Sequence, residues 1–156
     1  MSAVNRGKQF EARIKEAFER VENCSVDRLL DPQAGYAGIR NICDFIVYKE
    51  PNEYYIECKS HQGNTLPFTC ITDNQWQGLL EKSKIKGVHA GVIVWFIDHD
   101  KTFYCDIRKL EELKSSGNKS INIKETQMFI ELSGKKKRIL FDYDMNKFFE
   151  QIRRTL

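Results

Sequence analysis

Asp44, Glu57 and Lys59 are the residues of this 156-residue chain whose types and spacing point to chemistry. Asp44 is followed by twelve other residues and then by Glu57-Cys58-Lys59. Tyr54 to Lys59 reads as a strand, and alternate residues of a strand face opposite ways. Tyr54, Ile56 and Cys58 therefore share one face, and Tyr55, Glu57 and Lys59 share the other. If Ile42 to Tyr48 is the preceding strand of a hairpin, Asp44 comes close to Glu57. Two carboxylates can hold a hard divalent cation such as Mg²⁺, which binds through oxygen and keeps several waters. The backbone carbonyl of Cys58 is available to complete the coordination. Such a cation polarises a phosphate and lowers the pKa of a bound water. A neighbouring lysine can orient that water or stabilise negative charge as it develops. The set suits phosphodiester hydrolysis. Glu-x-Lys alone occurs by chance in many chains, and an exposed strand face carrying a cross-strand ion pair is the competing reading.

The elements that must position these residues follow from periodicity. Asn5 to about Val21 reads as an amphipathic helix, with Phe10, Ile14, Ala17, Phe18 and Val21 on one face. Asp31 to Gly38 holds two glycines and a proline and reads as a loop. Ile42 to Tyr48 and Tyr54 to Lys59 flank the turn signal Pro51-Asn52 and form a hairpin. Gly63 to Thr69 is expected to be a loop. Thr72-Asp73-Asn74 can cap a helix running to about Lys84, with Trp76, Leu79 and Leu80 on its apolar side. Ala90 to Ile97 is apolar on both faces, which suits a central strand. Thr102 to Ile107 is another strand, and Arg108 to Leu113 a short helix stopping near Gly117. Ile121, Phe129 to Leu132 and Arg138 to Phe141 supply further strand pieces, and Met145 to Arg154 a closing helix. This order predicts an α/β domain spanning residues 1–156, with helices flanking a mixed central sheet.

Composition narrows the class. Hydrophobic residues make up 41% and charged residues 30%, as in soluble globular domains. No apolar run approaches the roughly 20 residues needed to span a bilayer, and the first residues do not read as a signal peptide. The expectation is a cytoplasmic protein without a membrane partner. The five cysteines, at 24, 43, 58, 70 and 105, include no CxxC pair, which argues against a zinc knuckle and for free thiols used mostly as core filler. The net charge is +3, compatible with nucleic-acid binding without demanding it. Lys135-Lys136-Lys137-Arg138 forms a basic run beside a glycine, which fits either a solvated turn or a phosphate contact.

Read together, several segments resemble RecU-type Holliday junction resolvases of the PD-(D/E)xK nuclease superfamily. They are Asn5-Arg6-Gly7 with Phe10-Glu11, Cys43-Asp44-Phe45-Ile46, Tyr55-Ile56-Glu57-Cys58-Lys59, Asn64-Thr65-Leu66-Pro67-Phe68 and Asn74-Gln75. Gly91-Val92-Ile93-Val94 and Lys119-Ser120-Ile121 continue the match in order, so that it runs from about residue 4 to 125. The resemblance implies a restriction-endonuclease-like core, a homodimer, dependence on Mg²⁺ or Mn²⁺, and symmetric nicking of four-way DNA junctions. It assigns Asp44 and Glu57 to the metal and Lys59 to catalysis. Glu11 would approach from the first helix and Gln75 support the site from the second. Arg6 would contact phosphate, and Thr65 lies in a loop able to hydrogen-bond to the DNA backbone.

Two departures stand out. Cellular RecU proteins carry a longer projecting stalk between the first helix and the catalytic hairpin. Here the corresponding region, about Leu30 to Asn41, is short, which suits a phage-type version and makes Arg40 a candidate junction contact. Cys43 stands before the metal-binding aspartate, in place of the superfamily's proline or the threonine common in RecU. Two other readings remain open: a nuclease of the same chemistry for a restriction or repair substrate, and a non-catalytic DNA-binding recombination factor.

Overall fold

The computed structural model describes residues 3–30, 40–138 and 140–155. The loop expected over 31–38 lies outside them. Helix α1 (Ala3–Glu19) buries Phe10, Ile14, Ala17 and Phe18 as their spacing predicts. It stops short of Val21, which is buried in the turn that follows. Strand β1 (Cys24–Arg28), unanticipated from the sequence, pairs antiparallel with β2 (Phe45–Lys49), which pairs antiparallel with β3 (Asn52–His61) around Glu50-Pro51.

The hairpin is the expected one, with shifted limits. β2 begins at Phe45 rather than Ile42, because the strand ladder is replaced there by a side chain: Asp44 Oδ2 accepts the Cys58 N–H at 2.8 Å. The expected loop after β3 holds a short strand, β4 (Thr65–Pro67), and one 3₁₀ turn over Phe68–Cys70. Helix α2 (Asp73–Ser83) is followed by β5 (Val88–Phe96), β6 (Lys101–Asp106), α3 (Ile107–Ser115) and β7 (Ser120–Asn122), which pairs with β4. Next come the two-residue β8 (Ile130–Glu131), the hairpin β9 (Gly134–Lys137) and β10 (Leu140–Tyr143), and α4 (Met145–Arg154), whose limits match the expectation.

The main sheet has the order β1-β2-β3-β5-β6-β8, with β3 and β5 parallel and the other neighbours antiparallel. The mixed sheet flanked by helices is therefore present, with the doubly apolar β5 inside it. One apolar layer joins α1 and α4 to Tyr54, Ile56, Cys58, Ile93 and Trp95. The other joins α2 and α3 to Tyr55, Val92, Val94 and Phe96. The alternation along β3 thus sends Tyr54, Ile56 and Cys58 to one layer and Tyr55 to the other, as strand geometry requires. Cys43, Cys58 and Cys105 are buried, while Cys24 and Cys70 are partly exposed; all five are free thiols. Among the described residues, no helix is long and apolar enough to cross a membrane.

Phe148 of α4 lies against Phe18, Tyr54, Tyr104 and Phe149, with ring centroids 5.2 to 6.1 Å apart. Phe148→Ala should lower the unfolding free energy by about 3–5 kcal/mol in a urea titration, whereas Lys147→Ala on the exposed side of the same helix should change it by less than about 0.5 kcal/mol.

Candidate active site

The site forms where β2 runs out and β3 continues. Backbone hydrogen bonds hold Asp44 in line between two neighbours: its N–H donates to Ile56 O at 3.0 Å and its C=O accepts from Leu29 N–H at 2.8 Å. Its carboxylate, free of any ladder, takes the Cys58 N–H. Helix α2 presses on this segment from the other side. A Cβ at Gly78 would come within 2.2 Å of Ile42 Cγ2, so only glycine lets the helix seat so closely. Asn74 Nδ2 adds a hydrogen bond to Asn41 O at 3.2 Å.

Glu57 is buried at 4% exposure. Oε1 receives two donors, Lys59 Nζ at 2.9 Å and Gln75 Nε2 at 2.7 Å. Oε2 is buried with no hydrogen-bond partner. Gln75 performs two tasks. Its backbone N–H and side-chain oxygen close a reciprocal capping box with Thr72, at 3.2 and 3.0 Å, and its remaining amide group braces Glu57. The cap that starts α2 therefore aims a donor at the carboxylate.

Burial, reinforced by the Asp44 charge and only partly offset by Lys59, pushes the Glu57 carboxyl up to about 7. Burial also raises Asp44, against the Cys58 N–H and Lys59, which favour its charged form. The Cys43 thiol is pushed up to about 12 by burial and by the Glu57 and Asp44 charges. It thus stays protonated and packs as core.

Glu11 of α1 pairs with Arg28 of β1 at 3.2 Å and contributes charge that raises Glu57. Arg28 was not singled out from the sequence. It lies opposite Phe45, beside Asp44, and its charge favours the ionised form of Asp44. Recognising β1 would have placed it there. Arg6 is half-buried in the first turn of α1, with an Nε that has no hydrogen-bond partner. The next residue, Gly7, faces Ser60, just past Lys59. Thr65 opens β4, and its hydroxyl accepts from Asn122 Nδ2 at 3.4 Å. Arg40 is exposed and no described contact ties it to the trio.

Asp44, Glu57, Lys59 and Gln75 are thus brought together, with Glu11 at the margin. The described residues hold no cluster of three or more His, Cys, Asp or Glu side chains suited to a metal ion. A cation here would have two carboxylates and backbone oxygen. The Cys58 thiol turns into the α1 layer, but its carbonyl leaves the strand on the same edge as its N–H, toward Asp44, where β2 has already ended.

The mixed sheet flanked by helices, with an Asp, a Glu and a Lys brought together at the end of a hairpin, has a restriction-endonuclease-like fold. The model of the family Recombination protein U matches residues 31–145, and the chain belongs to this family, RecU. Among solved structures it is similar to Hjc of Archaeoglobus fulgidus, described as a Holliday junction resolvase from an archaeal hyperthermophile. The TM-score is 0.59 at 15% sequence identity, over 80% of this chain and 95% of that one. At that identity the likeness carries the fold. No curated protein matches the sequence.

The Glu57 shift has a readable sign. The folded carboxyl keeps its proton up to about 7, against an ordinary value of 4.5. Its stabilising contribution is complete below 4.5 and is lost as pH rises through about 7. With divalent cations chelated, Glu57→Gln should gain stability over wild type between pH 4.5 and pH 8, by about 1–3 kcal/mol. Urea unfolding of both proteins at the two pH values measures it, and parallel pH profiles would contradict the shift.

Proposed function

We propose that this chain is a divalent-metal-dependent endonuclease, one domain with one active site, that resolves four-way DNA junctions as a homodimer. The observation that carries the reading is a pair of adjoining carboxylates, the buried Glu57 and the half-buried Asp44, with Glu57 Oε2 left without a donor. A buried carboxylate oxygen without a partner is costly, and a hard cation beside it would relieve both that cost and the repulsion between the two acids. Mg²⁺ fits, and Mn²⁺ is the alternative, because a site of few protein oxygens leaves room for the waters such ions retain. Asp44, Glu57 and the Cys58 carbonyl would hold it. When bound, the ion would polarise a phosphate oxygen and acidify a water.

The other steps belong to the chain. Lys59 donates one N–H to Glu57 and keeps two for the attacking water or a phosphate oxygen, placing positive charge where negative charge grows. Gln75 fixes the Glu57 rotamer through Oε1, which leaves Oε2 for the ion. Glu11 acts from α1 at the rim of the site. Arg6, half-buried and without an acidic partner among the described residues, holds a phosphate near the scissile one. Thr65 and Arg40 contact the DNA backbone farther out. Two matched nicks on opposed strands need two sites, which a two-fold dimer supplies.

The decisive assay compares cleavage of a four-way junction, a fork, linear duplex and single strand, with and without Mg²⁺. The junction should be cut fastest and only with the metal, by a protein that light scattering finds to be dimeric. Preferred cutting of linear duplex by a monomer would instead indicate a nuclease with another substrate. Asp44→Asn and Glu57→Gln should each lower cleavage about 10³-fold while junction binding survives, because binding rests on phosphate contacts elsewhere. Lys59→Ala should lose about 10²–10³-fold in turnover with little change in metal requirement. Lys59→Arg should rescue poorly, since a planar fork places its charge differently.

A further inference from the structure

The hairpin β9–β10 is two strands with different reasons to exist. β10 packs: Tyr143 is buried against Phe10 of α1, its hydroxyl meets Thr102 at 2.8 Å, and Leu140 and Phe141 lie on the α1 layer. β9 does not. Gly134, Lys135, Lys136 and Lys137 are all exposed, as is Arg138 in the turn beyond them. What β9 presents is charge. Lys135 to Arg138 are four of the chain's 25 lysines and arginines, and the other 21 are outnumbered by 22 carboxylates. These four are the longest unbroken run of cations in the sequence.

Two of the four are tied down. Lys136 pairs with Asp100 at 2.5 Å, and Lys137 with Asp142 at 2.7 Å. Lys135 and Arg138 have no acidic partner within ion-pair distance among the described residues. Arg138 has φ +58°, a left-handed conformation uncommon for a non-glycine residue and most tolerant of Asn or Asp.

The same contacts fix where this charge sits. β3 and β5 run parallel, with His61 opposite Phe96. Just past them, Gly63 N–H donates to Asp98 Oδ2 at 2.6 Å, and Asn64 Oδ1 lies 2.6 Å from His99 Nε2. Asp100, in the same β5–β6 turn, holds Lys136. A continuous series of contacts thus leads from Lys59, through the loop after His61 and the β5–β6 turn, to the basic strand. The hairpin packs along the middle and C-terminal half of α1, with Tyr143 against Phe10 and Lys135 near Ala17, Arg20 and Val21. Lys136 therefore lies beside the end of the sheet that carries Lys59, while Lys135 extends along α1 away from it, outside the site itself.

We infer that β9 and its turn form a second DNA contact, in which Lys135 and Arg138 grip the phosphate backbone of a duplex arm leading away from the cut. This rests on the nuclease reading. The ion pairs at Lys136 and Lys137 hold the strand in place, and the two unpaired cations make the contact. A lysine exchanged for a phosphate's counterions gives salt-dependent affinity without sequence preference.

The test is fluorescence anisotropy of a labelled four-way junction and of linear duplex, in EDTA, across a salt series. The proteins are wild type, Lys135→Gln, the double variant Lys135→Gln/Arg138→Asn, and Lys84→Gln as a control on the far end of α2. Asn keeps the left-handed turn accessible, and a thermal melt checks each fold. The double variant should bind the junction about tenfold more weakly and lower the slope of log affinity against log salt by about 2. Lys135→Gln should lower it by about 1, and the control should match wild type. A slope unchanged from wild type would overturn the inference, leaving the lysines as guards of an exposed strand edge against pairing with another chain. If wild type binds junction and duplex equally and the variant slopes still fall, the junction reading fails and the hairpin contact stands. If wild type binds no DNA, both fail.

Discussion

A carboxylate held inside a β-sheet costs free energy according to the water it gives up, and at Glu57 each neighbouring element answers that cost. β3 supplies Lys59, two residues along the same face. Helix α2 supplies the Gln75 amide, and the loss of ladder pairing before β2 brings in Asp44. These responses are incomplete by one atom, Oε2, and the carboxyl remains well above its ordinary range. Retaining both acids in close company makes sense if a third charge joins them.

The position of the site follows from sheet topology. An antiparallel strand that stops early leaves its neighbour's N–H and C=O groups unpaired on one edge, and the end of β2 does this to Cys58. One of those groups is taken by Asp44, and the other faces the same opening. The parallel pairing of β3 with β5 buries the opposite edge, so the strand that carries Glu57 and Lys59 is held on one side and open on the other. The close seat of Gly78 on Ile42 and the hydrogen bond from Asn74 to Asn41 O join the segment before Asp44 to α2.

The sequence revealed what periodicity can encode. The alternation of Tyr54 to Lys59 separated core from reactive face, the doubly apolar Ala90 to Ile97 marked the interior strand, and Thr72 announced the start of α2. Three features escaped it, each for a physical reason. β1 is an edge strand whose residues are mostly exposed, so Cys24 to Arg28 has no apolar rhythm, and Arg28 went unnoticed with it. β4 and β7 pair across more than fifty intervening residues, a contact that no local window contains. Asp44 was expected within a strand, but its side chain does the work of a ladder bond, a substitution invisible to propensity. The approach of Asp44 to Glu57 was legible because a tight hairpin leaves little choice of register.

Thr72 never meets the carboxylate it helps to aim. Its hydroxyl and its N–H hold the two groups of Gln75 that are not spent on Glu57, so the signal that begins a helix also points the donor at the Glu57 carboxylate. Replacing Thr72 by a residue without a side-chain acceptor would fray the helix end by about 1 kcal/mol, and the loss would surface as a loosened Gln75 contact on a different element. A folding signal on one element thus sets the aim of a side chain toward another.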